Sequence, residues 1–214
     1  MLVTAGGTRE PIDPVRFITN RSSGKMGYAV AQAALDLGAD VQLVTASSHL
    51  DPPFGADVTA VSAAVEMRQV VQDLARSADA VIMAAAVADY RVEVPAAQKI
   101  KKSGQQWVLT LMQNPDILAE LGANRPANLR ALVGFAAETE DVLENARHKL
   151  RTKGLDMIAA NDVSSPDSGF EVDTNRVVLI DRNGGAEALP LLSKDEVAQH
   201  LMERVAQLVL GRPL

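Results

Sequence analysis

Between an apolar run at the N-terminus and an Ala-rich stretch lies Thr4-Ala5-Gly6-Gly7-Thr8-Arg9-Glu10-Pro11-Ile12-Asp13-Pro14-Val15-Arg16-Phe17-Ile18-Thr19-Asn20-Arg21-Ser22-Ser23-Gly24-Lys25-Met26-Gly27. These residue types suit the capture of a phosphorylated ligand. Paired glycines let the backbone turn sharply and let a ligand come close. Ser22, Ser23 and Gly24 then open a helix, where free N–H groups and the helix dipole attract anions. Arg9, Arg16, Arg21 and Lys25 add positive charge, while Asp13 and Asn20 add further hydrogen-bonding groups. Each part also has an ordinary reading: a Gly-Gly turn, a serine N-cap, surface arginines. Together, between one strand and one helix, they favour anion binding.

Other stretches carry candidate chemistry. Ala84-Ala85-Ala86 is either small core or a strand end that a flat base can approach. Asp89 is either a turn cap or a carboxylate able to accept from two hydroxyls. Lys99-Ile100-Lys101-Lys102 is a solvated charge run or a set of mobile cations, on a loop too long for an inert connection. Pro115-Asp116-Ile117-Leu118 reads as a helix start, with Pro at the first helical position. Phe135 is core, or a ring that packs on a base. Lys149 and Lys153 share one helical face at i, i+4. Asn20 either makes an Asx turn or donates to a substrate carbonyl, where a neutral amide suits a developing oxyanion. His49, His148 and His200 do not cluster in sequence, and with no cysteine there is no metal-ligand signature.

The elements that must position these residues alternate. Residues 1–5, 41–45, 58–61, 80–86, 129–134 and 157–160 read as strands, with 80–86 continuously apolar as at the centre of a parallel sheet. Residues 28–37 form a helix stopped by Gly38, Ser62 is placed to cap a helix reaching Arg76, and 141–153 is a further helix. Residues 107–112 alternate like a half-buried strand. Residues 176–180 and 188–192 flank Asp181-Arg182-Asn183-Gly184-Gly185, a hairpin signal. Ser193 and Glu196 form a capping box for a last helix to about Leu210. The order implies an α/β fold with a doubly wound parallel sheet. In such sheets ligands bind beyond the carboxyl ends of the strands. The loops after the first strand, after 80–86 and after 129–134 share that edge.

At 214 residues the chain is one domain, 1–214, and 47% hydrophobic content with 3% aromatics implies a core of Ala, Val, Leu and Ile. A net charge of −6 argues against generic nucleic-acid binding. The absence of cysteine excludes disulfides and thiolate chemistry and fits a reducing, cytoplasmic compartment. No apolar run is long enough to span a bilayer, and no signal peptide precedes the first strand. A chain that starts almost on a strand is expected to be part of a longer protein.

The long loop, together with Ala84-Ala85-Ala86-Val87-Ala88-Asp89-Tyr90, Lys99-Ile100-Lys101-Lys102, Asn114-Pro115-Asp116-Ile117-Leu118, Gly134-Phe135-Ala136-Ala137-Glu138-Thr139 and Ala160-Asn161-Asp162-Val163 with Gly169-Phe170, resembles the phosphopantothenoylcysteine synthetases. These are the phosphopantothenate–cysteine ligases of coenzyme A synthesis, and the resemblance, to the bacterial form, covers essentially the whole chain in order. It implies a Rossmann-like fold with a flap at about 87–106 and an appended hairpin at about 170–192 through which the protein forms a homodimer. It implies CTP, 4′-phosphopantothenate and L-cysteine as substrates, and Mg²⁺ arriving with the nucleotide. It places Gly6, Ser22, Ser23, Gly24, Met83, Ala84, Ala85, Asp89, Lys99, Pro115, Asp116, Ile117, Leu118, Phe135, Lys149 and Lys153 on the nucleotide. It places Asn20, Arg16 and Ala86 on the substrate, with Asn20 and Lys99 catalytic. A flavin-dependent decarboxylase is the implied fusion or assembly partner. That activity itself needs a cysteine, which this chain lacks.

Two rival readings are a nicotinamide-dependent oxidoreductase and a non-catalytic nucleotide-binding module. The first uses Tyr-x-x-x-Lys, but Gln32 and Val94 stand four residues after the two tyrosines. The second strand also ends Val44-Thr45-Ala46, without the acid that binds the adenosine ribose of NAD.

Overall fold

A strand covered on both faces needs apolar side chains almost throughout, a demand that Ala80–Met83 meets in full and Leu2–Ala5 at every position but Thr4. Leu2–Ala5 and Ala80–Met83 are buried throughout and lie side by side in parallel. The computed structural model describes residues 1–47, 49–102, 104, 106–163, 169 and 172–212. Phe170, the start of the expected hairpin region, and flap residues Ser103 and Gln105 lie outside the described residues.

In chain order the elements are β1 (Leu2–Ala5), β2 (Glu10–Pro11), β3 (Phe17–Ile18), α1 (Lys25–Asp36), β4 (Gln42–Thr45), β5 (Asp57–Ala60), α2 (Ala64–Leu74), β6 (Ala80–Met83), β7 (Tyr90–Val92), β8 (Leu111–Gln113), α3 (Ile117–Ala123), β9 (Ala131–Glu138), α4 (Val142–Thr152), β10 (Met157–Asp162), β11 (Thr174–Asn175), β12 (Val177–Asp181), β13 (Ala186–Ala188), β14 (Leu192–Ser193) and α5 (Lys194–Val209). The central sheet has the order β13-β12-β10-β9-β6-β1-β4-β5. Pairing is parallel from β5 to β10 and antiparallel at β12 and β13. The chain winds from β1 outward through β4 and β5, then returns to β6 on the other side of β1. The order therefore reverses between β1 and β6, which is where such sheets open a crevice.

Side-chain alternation divides the core in two. Val3, Ile82 and Val133 face one layer with α1 and α5, and Leu2, Val81 and Leu132 face the other with α2, α3 and α4. Gly27 is required for the first layer. A Cβ there would stand 2.6 Å from the Ala5 Cβ and 2.7 Å from the Thr4 carbonyl, so only glycine lets α1 lie this close to β1.

Several boundaries differ from those read in the sequence. The apolar run 80–86 is strand only to Met83, because the backbone N–H groups of Ala85 and Ala86 turn away to Thr4 Oγ1 and the Gly6 carbonyl. Strand β9 runs past Gly134 to Glu138, so Phe135 lies within a strand. Ser62 does not cap α2. Its N–H donates to Glu66 Oε2 at 2.7 Å, and the buried Glu10 carboxylate accepts from Ala64 N–H at 2.9 Å. Neither Ser22 nor Ser23 is the N-cap of α1. That position is Gly24, with φ +87°. Pro115 is not the first helical residue, since Asp116 caps α3 by accepting from Ala119 N–H at 3.0 Å. The capping box of α5 forms as expected, with Glu196 N–H donating to Ser193 Oγ at 3.2 Å and Ser193 N–H to Glu196 Oε2 at 2.9 Å.

Two regions differ more. The alternating stretch 107–112 forms strand only at Leu111–Gln113, and it pairs with β7 alone rather than with a buried sheet face. The hairpin does not stand apart as an appendage: β12 joins the central sheet beside β10 and is largely buried, with Val177, Leu179 and Ile180 in the core. Val177, Leu179, Ile180 and Leu189 are thus used within the chain, while Leu191 and most of the edge strand β13 stay exposed.

Candidate functional site

Two cavities meet beyond the carboxyl ends of β1 and β6, against the last residues of β9. The first spans about 630 Å³ and the second about 1080 Å³, each counted with its open mouth, and they share Ala85, Ala86, Phe135, Ala136 and Ala137. Small side chains at the ends of β6 and β9 keep this floor open. The Phe135 ring stands between the two spaces.

The first cavity is roofed by the loop that opens α1. Ser22, Ser23 and Gly24 line it, facing Ala84 across the crevice. Gly6 lies underneath with φ +81°, and a Cβ on it would stand 2.6 Å from the Ser47 backbone nitrogen. Gly6 therefore shapes the loop and does not line the cavity. Asn20 is held at both ends of its amide. Its Nδ2 donates to the Ala86 carbonyl at 2.5 Å, and its Oδ1 accepts from Ser22 N–H at 3.1 Å. The Asx turn read from sequence is therefore present, and it ties the long loop to the end of β6. Asn20 itself lines a neighbouring cleft with Arg9, Arg21 and His49, reached past Ser22 and Ser23.

The second cavity gathers most of the residues expected on a nucleotide. Met83, Asp89, Pro115, Asp116, Ile117, Leu118, Phe135, Lys149 and Lys153 all line it. Helix α4 brings Lys149 and Lys153 onto one face, as their spacing requires. Each is already matched with a carboxylate: Lys149 with Glu138 at 2.6 Å and Lys153 with Asp116 at 2.9 Å. Burial would raise the Asp116 carboxyl, but the hydrogen bond from Lys153, the Ala119 N–H and the Lys153 charge outweigh it and hold it below its ordinary value. Asp116 is exposed and can give up Lys153 to an entering polyanion at little cost, whereas Glu138 is largely buried and holds Lys149 more firmly.

Besides Gly6 and Asn20, two more of the expected residues line neither cavity. Lys99 is exposed on the connection between β7 and β8 and lines neither cavity. Arg16 also lines neither; its guanidinium pairs with Asp13 and lies 4.7 Å from the centre of the Trp107 ring.

The crevice also has members that the sequence reading gave no role. Asn161, Asn175 and Lys194 line the first cavity. Lys194 is buried, and its ammonium donates to the carbonyls of Gly169 and Val172. Burial lowers its pKa. In sequence it is only the residue after the α5 cap, indistinguishable from a surface lysine. Asn161 lay inside a recognised stretch, and Asn175 carried no signal. In the second cavity Asn114 is buried, with Nδ2 donating to the Ala88 carbonyl at 2.8 Å and Oδ1 accepting from Arg91 at 2.8 Å.

The family model for the DNA/pantothenate metabolism flavoprotein C-terminal domain matches residues 1–209. The chain belongs to this family. It is 49% identical to the coenzyme A biosynthesis bifunctional protein CoaBC of Vibrio cholerae, over 96% of this chain and 51% of that protein. With the protein of the same description from Bacillus subtilis it shares 44% identity, over 97% of this chain and 51% of the other. The chain thus spans about half the length of the curated relatives it matches. A crystal structure of the C-terminal domain of a coenzyme A biosynthesis bifunctional protein CoaBC superposes with a TM-score of 0.83 at 40% identity, covering 98% of this chain and 95% of that one. The Rossmann-like α/β architecture is therefore that of the family. In this chain the loop that opens α1 helps wall the first cavity and the Asn114–Leu118 stretch the second.

Proposed function

We propose that this chain is a phosphopantothenate–cysteine ligase that uses CTP. The observation that carries the reading is the pair of joined cavities, one walled by the α1 entry loop and the other by Lys149, Lys153 and Asp89, in a member of this family. The nucleotide occupies the larger space, with its base near Met83, Ala85 and Phe135, beside Ala84 of the smaller cavity, and its ribose near Asp89. The substrate acyl group lies near Asn20 and Ala86. Arg16, expected on the substrate, has its guanidinium taken by Asp13 and Ile100, and the geometry gives that contact no support.

The substrate carboxylate oxygen attacks the α-phosphorus of CTP, forming an acyl-cytidylate and releasing pyrophosphate. The cysteine amine then attacks the acyl carbon, CMP leaves with the bonding pair, and the amine proton passes to solvent. No protein nucleophile is needed, so the lack of cysteine is no obstacle. The protein supplies position and charge. Lys99 comes from the flap, and Asn20 faces the reacting carbonyl.

Mg²⁺ supplies charge neutralisation on the triphosphate. Among the described residues no group of three or more His, Cys, Asp or Glu is placed to hold a metal; in this proposal the ion is carried mainly by phosphates and water. The relatives are twice as long and named bifunctional, which supports a fused or associated partner, taken here to be a flavin-dependent decarboxylase; a cytoplasmic location belongs to the same proposal. Among the described residues no helix is long and apolar enough to cross a membrane.

A homodimer is also part of this proposal, with a changed interface. The hairpin is absorbed into the central sheet, whereas Phe17, Tyr90, Val108, Leu111 and Met112 stand exposed on β3, β7, β8 and the connection before β8. Two-stranded ribbons are marginal alone, and a second copy covering these residues would account for their apolar character.

The deciding experiment measures pyrophosphate release with phosphopantothenate and each nucleotide, then CMP release on adding cysteine. No substrate-dependent release would leave a non-catalytic nucleotide-binding module. The oxidoreductase reading loses further ground here, because the Tyr28 hydroxyl is buried against Thr45 Oγ1 at 3.3 Å.

A further inference from the structure

The turn at 12–16, between β2 and β3, holds the connection between β7 and β8 at three points. The Ile12 carbonyl accepts from Ala96 N–H at 2.9 Å. Asp13 Oδ2 accepts from Ile100 N–H at 3.2 Å, and Arg16 Nη2 donates to the Ile100 carbonyl at 2.9 Å. The Arg16 guanidinium also stacks on Trp107, 4.7 Å from the ring centre. One ion pair therefore grips both the N–H and the C=O of a single flap residue. Around these anchors the flap is exposed, and Lys99, next to the gripped residue, is exposed too.

Asp13 is built for this task. It is 4% exposed, and its Oδ1 accepts from the N–H groups of Val15 and Arg16, each at 2.9 Å. Those two bonds set the turn. Its Oδ2 serves Arg16 Nε at 3.0 Å and Ile100, so one oxygen shapes the turn and the other holds its guest. A buried carboxylate is expensive unless each lone pair is used, and here the flap supplies part of that satisfaction. Fixing the backbone beside Lys99 removes most of the freedom of a long loop. The Lys99 side chain then moves from a fixed root.

We propose that Asp13 is a positioning residue: with Arg16 it clasps the flap at Ile100 and so determines where Lys99 can reach. The role of Lys99 rests on the ligase reading above, whereas the clasp itself does not.

Two measurements test this. Limited digestion with trypsin, read by mass spectrometry, reports cleavage after Lys99, Lys101 and Lys102. Asp13→Asn retains an acceptor for the turn but loses the charge that holds Arg16. Arg16→Gln leaves Asp13 and its turn and removes the arm that reaches the Ile100 carbonyl. Each variant should be cut about tenfold faster at these lysines, since proteolysis follows the open population. Unchanged cleavage in both overturns the clasp. Should Asp13→Asn fail to fold, Arg16→Gln alone decides this arm.

The second measurement is turnover. Each variant should lose about tenfold or more in kcat while KM for phosphopantothenate stays within about threefold, because orientation and not uniform binding is lost. In a Lys99→Gln background, adding Asp13→Asn should change kcat by less than about twofold, because coupled residues are not additive. Additive losses, a rise in kcat, or a loss confined to KM each overturn the positioning role. Faster cleavage combined with wild-type turnover in Lys99→Gln would keep the clasp and remove Lys99 from the ligase reading.

Discussion

At Asn20 a single amide does two structural jobs, donating to Ala86 and accepting from Ser22. Asn20→Asp puts a carboxylate against the Ala86 carbonyl and against any developing oxyanion. Turnover should fall by about 10²-fold, the usual loss for a missing oxyanion donor; wild-type turnover would take Asn20 out of the site. Lys99 has no such structural job. Lys99→Gln should therefore leave CTP affinity within about tenfold, or about 1.4 kcal/mol, while kcat drops about 10²-fold or more. Calorimetric titration and steady-state rates on the Lys99, Lys101 and Lys102 variants check this, and equal losses in binding and rate would make Lys99 a binding residue. Asp13 carries a pH signature. Its carboxyl is held well below the usual carboxylate range, first by the Arg16 hydrogen bond, then by the N–H groups of Val15, Ile100 and Arg16 against the opposing effect of burial. A depressed folded-state pKa adds stability above the unfolded value and loses it as pH falls. The stability gap between wild type and Asp13→Asn should thus be flat down to about pH 5 and shrink only below about pH 4. Urea titrations across that range would expose a gap that instead closes near neutrality. At this scale the sequence showed which residues carry charge but not their partners. Lys149 and Lys153 read as a free pair, and only the approach of Glu138 and Asp116 made them two ion pairs.

Among the elements, Asp156 is the main tie. It is buried, and it accepts from Leu132 N–H at 2.7 Å and from Arg182 at 2.9 Å, with Arg125 completing the set. It thereby joins the start of β9, the segment after α3 and the turn between β12 and β13. Asp156→Ala leaves a partly buried arginine without its carboxylate and should cost about 3–5 kcal/mol. Arg182→Ala, at an exposed partner, should cost no more than about 1 kcal/mol. Equal losses in urea unfolding would mean the tie is not centred on Asp156. Ser193→Ala should cost about 1 kcal/mol through the lost cap of α5. That cap was legible in the sequence because it is local: Ser193 and Glu196 are three residues apart on one turn. The start of α2 was not legible, because its second cap comes from Glu10, far off in sequence.

For the whole molecule, the proposed dimer has a specific test. Sedimentation at micromolar concentration should give a dimer for the wild type and a monomer for Val108→Asp combined with Leu111→Asp, while a charge at Ala188 on the hairpin edge should change nothing. The reverse pattern would restore the hairpin as the interface. Nucleotide choice belongs to this scale too, since the base pocket is assembled from β6 and β9 together. CTP should exceed ATP in kcat/KM, and comparable values would remove the base preference from the proposal. The sequence by itself determined the parallel α/β order and the strand edge where the cavities open, and these follow from local rules: apolar runs for buried strands, periodicity for helices, loops at carboxyl ends. Most of the residues around the larger cavity were named by the family resemblance of the sequence and not by such rules. Tertiary structure decided what such rules do not encode. Hydrophobic patterning reports that β12 and the stretch 107–112 prefer burial, but not what covers them. The central sheet took up β12, leaving 107–112 exposed. Likewise Lys194 and Asp13 became a buried ammonium in the crevice and the root of the flap only because segments far apart in the chain met there.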